Sequence, residues 1–175
     1  MFFIESERLK LIPLNYTQLL LLRESREAME RAMGFSPSNM IIEPFYQAEL
    51  IDALDTFWLP KIQQHPEHWM WYTNWEIVLK AGNVSVGGIG MGYPNENGES
   101  TTGYCIDQQQ HRRGYATEAL KRLCEWAFTN PDVKTICADT HAPNTASQKV
   151  LLKAGFIAEG LKDGNPFFRL GRESL

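Results

Sequence analysis

The chain has 175 residues, enough for one domain with a sizeable core and cramped for two. Lysine and arginine number 17 against 21 for aspartate and glutamate, and the net charge of −4 gives no general electrostatic reason to bind nucleic acid or an anionic membrane. Its three cysteines, Cys105, Cys124 and Cys137, lie in apolar surroundings without CxxC or Cys/His spacing, which points to reduced core thiols rather than a metal centre or nucleophile.

The opening MFFIESERLK carries Glu5 before any basic residue, and its apolar run is too short for a signal peptide. No stretch approaches the ~20 apolar residues of a membrane span, so a cytoplasmic protein is expected. Residues 8–14, RLKLIPL, alternate polar and apolar and predict a strand, after which Asn15 is placed to cap a helix from about Tyr16 to Ala32. A Gly/Ser/Pro loop, Gly34 to Ser38, precedes a second helical segment from about Pro44 to Gln64, ended by His65-Pro66.

Residues 69–79 and 84–92 then read as strands joined by an Ala81-Gly82-Asn83 turn, and a third strand, TTGYCID, follows a polar tip. Within the second of these, GGIGMG lacks GxGxxG spacing, and close packing or a bulge explains it better than a nucleotide loop. The helix after HRRG carries Ala116, Ala119, Leu120, Leu123 and Ala127 at spacings of three and four, one buried stripe, and stops at Asn130-Pro131. Residues 133–140 form another strand; Asn144 caps a helix through Lys153, with Gly155 in the C-terminal cap. Two final strands, 157–160 and 167–170, flank the turn-rich KDGNP. The order β α α β β β α β α β β describes an α+β fold, one domain over residues 1–175, with about seven strands and about four helices.

The stretch His111-Arg112-Arg113-Gly114-Tyr115-Ala116-Thr117 places cations and a glycine at a helix start. Unpaired N–H groups there make an anion site, and Gly114 lets backbone approach a diphosphate closely. The plainer alternative is that Arg112 and Arg113 are solvated surface residues.

RRGYATEAL, followed some thirty residues on by NTASQKVLLKAGF, resembles the coenzyme-binding core of the GNAT superfamily of acyl-CoA-dependent N-acyltransferases. Glu7 to Leu11 and the Gly103-Tyr104-Cys105-Ile106 strand are similar to the branch that acetylates ribosomal-protein N-termini. The resemblance implies a mixed, mainly antiparallel sheet with helices on both faces, and acetyl-CoA as co-substrate without a metal. It implies that the glycine loop holds the coenzyme's pyrophosphate, with His111 at a position where the family has Gln or Arg. It further implies that backbone of Cys105, Ile106 and Asp107 pairs with the pantetheine arm and that Asn144 either bonds the arm or caps its helix.

On the same resemblance Ser147, one turn into that helix, is the candidate acid for the leaving thiolate, and Tyr104 of the signature strand is a further catalytic candidate. The base is less defined: the family's acidic position holds Thr101, and Glu76, Asp139 and His141 are substitutes, Glu76 being carried forward as catalytic. An α-amine, with pKa about 8, asks less of a base than lysine at about 10.4. The expected acceptor is a protein N-terminal α-amine, with a small amine such as an antibiotic, polyamine or amino acid as the alternative and a non-catalytic acyl-CoA sensor as the third reading. Exposed strand edges near the C-terminus offer a route to a homodimer.

Overall fold

In the computed structural model, which describes residues 1–174, the alternation of Leu9 and Leu11 inward with Lys10 outward sets strand β2 (Leu9–Pro13), preceded by a two-residue strand, β1 (Ile4–Glu5). β3 (Trp75–Leu79), β4 (Val84–Met91), β5 (Glu99–Ile106), β6 (Thr135–Asp139), β7 (Ile157–Lys162) and β8 (Asn165–Gly171) complete one sheet in the order β1-β2-β3-β4-β5-β6-β8-β7. Every neighbouring pair is antiparallel except β5 and β6. Six α-helices accompany it: α1 (Tyr16–Glu24), α2 (Arg26–Met33), α3 (Pro44–Asp52), α4 (Leu59–Gln64), α5 (Tyr115–Ala127) and α6 (Thr145–Lys153). The architecture is therefore the expected α+β fold, with one extra short strand and two helical segments divided.

Both divisions have local causes. The expected helix from Tyr16 to Ala32 breaks at Ser25, which is extended (φ −166°, ψ 151°) and caps α2 by accepting the Ala28 N–H at 3.0 Å. The segment from Pro44 to Gln64 passes through a π-helical stretch, Ala53–Trp58, just ahead of Pro60, a residue with no N–H to give and a ring that crowds the preceding turn. The strand expected from residue 69 begins at Trp75, because Pro66–Trp71 coil as a 3-10 turn.

The two glycines opening the GGIGMG run are there for closeness. A Cβ on Gly87 would stand 2.2 Å from the Cys105 carbonyl oxygen, and one on Gly88 would stand 2.4 Å from the Asn74 side-chain oxygen. Both turns expected on glycine chemistry form with positive φ, at Gly82-Asn83 and at Asp163-Gly164.

The larger core sits between one face of the sheet and α5 and α6, built from Leu9, Leu11, Trp75, Ile77, Leu120, Leu123, Ile136 and Leu151. A smaller core, with Leu14, Leu19, Leu22, Met29 and Leu54, gathers α1, α2 and α4. Because Glu76 alternates with Trp75 and Ile77 and meets Arg26 of α2, that second layer covers the opposite face. Buried thiols at Cys124 and Cys137 match the core role expected of them.

One interruption positions the site. β5 and β6 pair only at Glu99–Thr101 with Thr135–Cys137, and beyond that point the strands separate.

Candidate functional site

The separation of β5 from β6 opens a cleft of about 200 Å³. Thr102, Gly103 and Tyr104 line it from β5, Ala138 to His141 from β6 and its continuation, and Asn144, Ser147 and Leu151 from α6. Tyr46 and Glu49 of α3 close one side.

Strand geometry decides which backbone faces this space. The Cys105 carbonyl points at Gly87 on β4, and the Asp107 N–H donates to Val86 at 2.9 Å. Alternate residues face the other way, so Tyr104 and Ile106 present their N–H and C=O to the cleft. This corrects the expectation that Cys105 and Asp107 offer backbone there. Asp107 is instead a buried clamp: one carboxylate oxygen accepts the Ile41 and Gln109 N–H groups, each at 3.1 Å. The Ile106 carbonyl receives the His111 ring Nε2 at 2.9 Å, which turns that side chain back toward β5 and away from the helix start.

At that helix start, Arg112 (φ 61°) and Gly114 (φ 81°) both take left-handed backbone. Among the described residues no protein group accepts from the amides of Arg112 to Thr117, so they are free to converge on an anion. Arg112 and Arg113 are exposed beside them. The loop is braced from outside the motif. Arg8 donates to the Arg113 carbonyl at 3.0 Å, pairs with Glu118 at 2.6 Å, and lies 4.7 Å from the centre of the Tyr115 ring. Burial works to raise the Glu118 carboxyl, but hydrogen bonds from the Ser6 hydroxyl and from the Arg8 backbone and guanidinium outweigh it and hold it below its usual range.

Inside the cleft the Tyr104 hydroxyl and the Ser147 Oγ are 2.9 Å apart, and Tyr104 also reaches the Ser147 carbonyl at 3.2 Å. Desolvation pushes the Tyr104 phenol up to about 12, although the Ser147 hydrogen bond works the other way. The group therefore keeps its proton throughout the neutral range. Asn144 does cap α6, accepting the Ser147 N–H at 3.0 Å, and its amide donates to the Tyr46 hydroxyl at 2.7 Å.

Glu76 lies elsewhere. It is fully buried between β3 and α2, accepting from Asn74 at 2.7 Å, Arg26 at 2.9 Å and Ser85 at 2.5 Å. Both oxygens are committed, and Glu76 does not line the cleft, which corrects its placement among the candidate catalytic groups. Asp139 and His141 do line it, whereas Thr101 is exposed at the last paired position. Burial, opposed by Arg26, pushes the Cys105 thiol up to about 11, an unfavourable setting for a nucleophile. The α3 residues Tyr46 and Glu49 and the brace at Arg8 were not singled out from sequence. Arg8 sat within a quoted motif, while nothing around Tyr46 carried a signal.

Among the described residues no group of three or more His, Cys, Asp and Glu is placed to hold a metal ion, and no helix is long and apolar enough to cross a membrane.

A family model described as an acetyltransferase (GNAT) domain matches residues 8–157. YjdG of Bacillus subtilis, an uncharacterized N-acetyltransferase, is 39% identical over 87 residues, 49% of this chain and 52% of that protein. The match thus spans about half the length of this curated relative. Among solved structures, RimL, a ribosomal L7/L12 alpha-N-protein acetyltransferase in complex with coenzyme A, superposes with a TM-score of 0.67 at 16% identity, covering 99% of each chain. A spermidine N-acetyltransferase SpeG chimera from Vibrio cholerae and hSSAT gives 0.64 at 14% identity, covering 95% of this chain and 97% of that one. At such identities these two are likenesses of fold.

Proposed function

Because the chain belongs to the GNAT acetyltransferase domain family, we propose that it moves an acetyl group from acetyl-CoA to a primary amine, a protein N-terminal α-amine above all, by direct transfer in a ternary complex. One observation carries this reading: β5, which brings Tyr104 to Ser147 of α6 in the cleft, runs on directly into the loop whose unpaired amides open α5.

The residues present fit the coenzyme. Amides from Arg112 to Thr117, with Arg112 and Arg113, suit its pyrophosphate, and the backbone of Tyr104 with the N–H of Ile106, turned away from β4, suits an amide-bearing arm. When bound, the coenzyme supplies a thioester, an acyl group activated toward amines. Transfer forms one N–C bond and breaks one C–S bond, and the sulfur leaves with the electron pair. Tyr104, kept protonated by burial and aligned by Ser147, donates the proton that the thiolate takes up. Asp139 and His141, with Glu49 opposite, are the groups in the cleft that can accept the amine's proton. In this reading Glu76 braces α2 and Cys105 forms no acyl-enzyme.

The choice of acceptor rests on the resemblance of Glu7–Leu11 and Gly103–Ile106 to the ribosomal-protein branch and on the RimL likeness. A small polyamine is the second reading, favoured by the likeness to a spermidine acetyltransferase and by Glu49 and Asp139 on the cleft. Calorimetric titration with acetyl-CoA and with CoA, followed by thiol release over N-terminal peptides and small amines, tests both. Binding without turnover would make the chain an acyl-CoA sensor, and no binding would remove the basis of the proposal.

A further inference from the structure

Helix α3 buries none of its residues, although its sequence, PFYQAELID, is largely apolar. Phe45 and Ile51 are each about half exposed. Its C-terminal end is anchored, with Leu50 partly buried against the second core and Leu54 of the π-helical stretch inside it, while the N-terminal end is not. Such a helix, tied at one end and followed by a π segment, has the construction of an element that opens and closes.

What holds its free end is specific. Tyr46 accepts a hydrogen bond from the Asn144 amide at 2.7 Å, and Phe45 meets the His141 ring edge-on with centroids 5.0 Å apart. Since the Asn144 nitrogen is the donor, the Tyr46 hydroxyl proton remains uncommitted among the described residues, and Tyr46 lines the cleft with Tyr104 and Ser147. Burial and nearby Glu43 raise the Tyr46 phenol, against the pull of Asn144.

A single side chain therefore organises two donors. The Asn144 oxygen fixes the Ser147 N–H, and with it the turn carrying the Ser147–Tyr104 pair; its nitrogen fixes Tyr46. A thioester undergoing attack has two atoms that gain charge, the sulfur and the carbonyl oxygen, and one small cleft must supply a donor to each. We infer that α3 is a closing element and that its Tyr46 hydroxyl, held by Asn144, donates a hydrogen bond to the carbonyl oxygen of the acyl group. The inference rests on the acyl-transfer reading above and adds a residue from outside the coenzyme-binding motif.

The test compares wild type with Tyr46→Phe in three measurements: acetyl-CoA affinity by calorimetry, hydrogen exchange of residues 44–52 without ligand, and kcat by thiol release with the most active of an Ala-initiated peptide, a Ser-initiated peptide and spermidine. Loss of one such donor lowers kcat by about 100-fold, with acetyl-CoA affinity unchanged, and α3 exchanges faster because its latch is gone. Wild-type kcat in the variant overturns the donor role, and faster exchange with only a raised acceptor KM reduces Tyr46 to a latch and overturns it equally. A wild-type chain that binds no acetyl-CoA overturns the acyl-transfer reading first, and this inference with it.

Discussion

The Tyr104 hydroxyl stands 2.9 Å from Ser147 Oγ across the join between β5 and α6. Tyr104 comes from the part of β5 that no longer pairs with β6, and Ser147 from the first turn of the helix beyond the cleft, so the contact ties the two walls together. Replacing Tyr104 by Phe should lower kcat by about 100-fold while calorimetry finds acetyl-CoA affinity intact. Ser147→Ala should cost less, because Tyr104 keeps its contact to the Ser147 carbonyl at 3.2 Å. The reverse ranking would make Ser147 the proton donor.

Gly114 holds φ at 81°, and a Cβ there would meet only an Arg8 nitrogen at 3.4 Å. Space is available, so Gly114→Ala should unfold at a lower temperature by about 1 kcal/mol of left-handed strain and keep measurable coenzyme binding. Gly114→Glu places a carboxylate against the free amides and should abolish acetyl-CoA binding in a folded protein. Normal calorimetry with the Glu variant would show that the loop is not the phosphate site.

Arg8 acts on that loop from outside, through the Arg113 carbonyl and Glu118. Arg8→Ala should weaken acetyl-CoA binding with little change in kcat at saturation. A kcat loss at full saturation would instead place Arg8 in the chemical step.

The alkaline limb of stability has a defined sign. Burial raises Tyr104 to about 12, Cys105 to about 11 and Cys124 to about 12. Each is neutral when protonated, so the unfolded chain gives up these protons first. The stabilisation is complete below pH 9, the reference value of the two thiols, and is lost progressively toward pH 12. Urea midpoints measured from pH 8 upward should fall, and Tyr104→Phe should flatten the decline. A midpoint that holds steady above pH 10 contradicts the burial of these groups.

Removing Arg26 leaves the Glu76 carboxylate buried without its counter-charge, so Arg26→Ala should destabilise by about 3–5 kcal/mol in chemical denaturation. Glu76→Gln should also destabilise while the folded fraction retains its kcat. A collapse of kcat in Glu76→Gln at unchanged stability would restore Glu76 to the reaction.

Much of this was legible because it is local. The α5 stripe, the Asn144 cap and the glycine turns at Gly82 and Gly164 are written in spacings of one to four residues, and each formed where expected. Glu76 was misread because its partners lie at positions 26, 74 and 85, and only the packing of α2 on β3 reveals that both oxygens are occupied. His111 stands where the family has Gln or Arg, and its ring reaches the Ile106 carbonyl five residues back, a contact that no spacing in the sequence announces. Tyr46 and Glu49 reach the cleft by the path of α3, a helix with no buried face and therefore no pattern to read.

The parting of β5 from β6 also changes where the sheet is soft. In most sheets the centre exchanges its amides last and the edges first. Here β5 turns the N–H groups of Tyr104 and Ile106 away from β4, and β6 pairs with it only as far as Thr101, although four strands lie on one side and three on the other. Hydrogen exchange should therefore be fast at the middle of the molecule, faster than in β3, and should slow there when an extended, amide-bearing ligand lies against the strand. The protein carries an edge in its interior, and a bound substrate is in effect its missing neighbour.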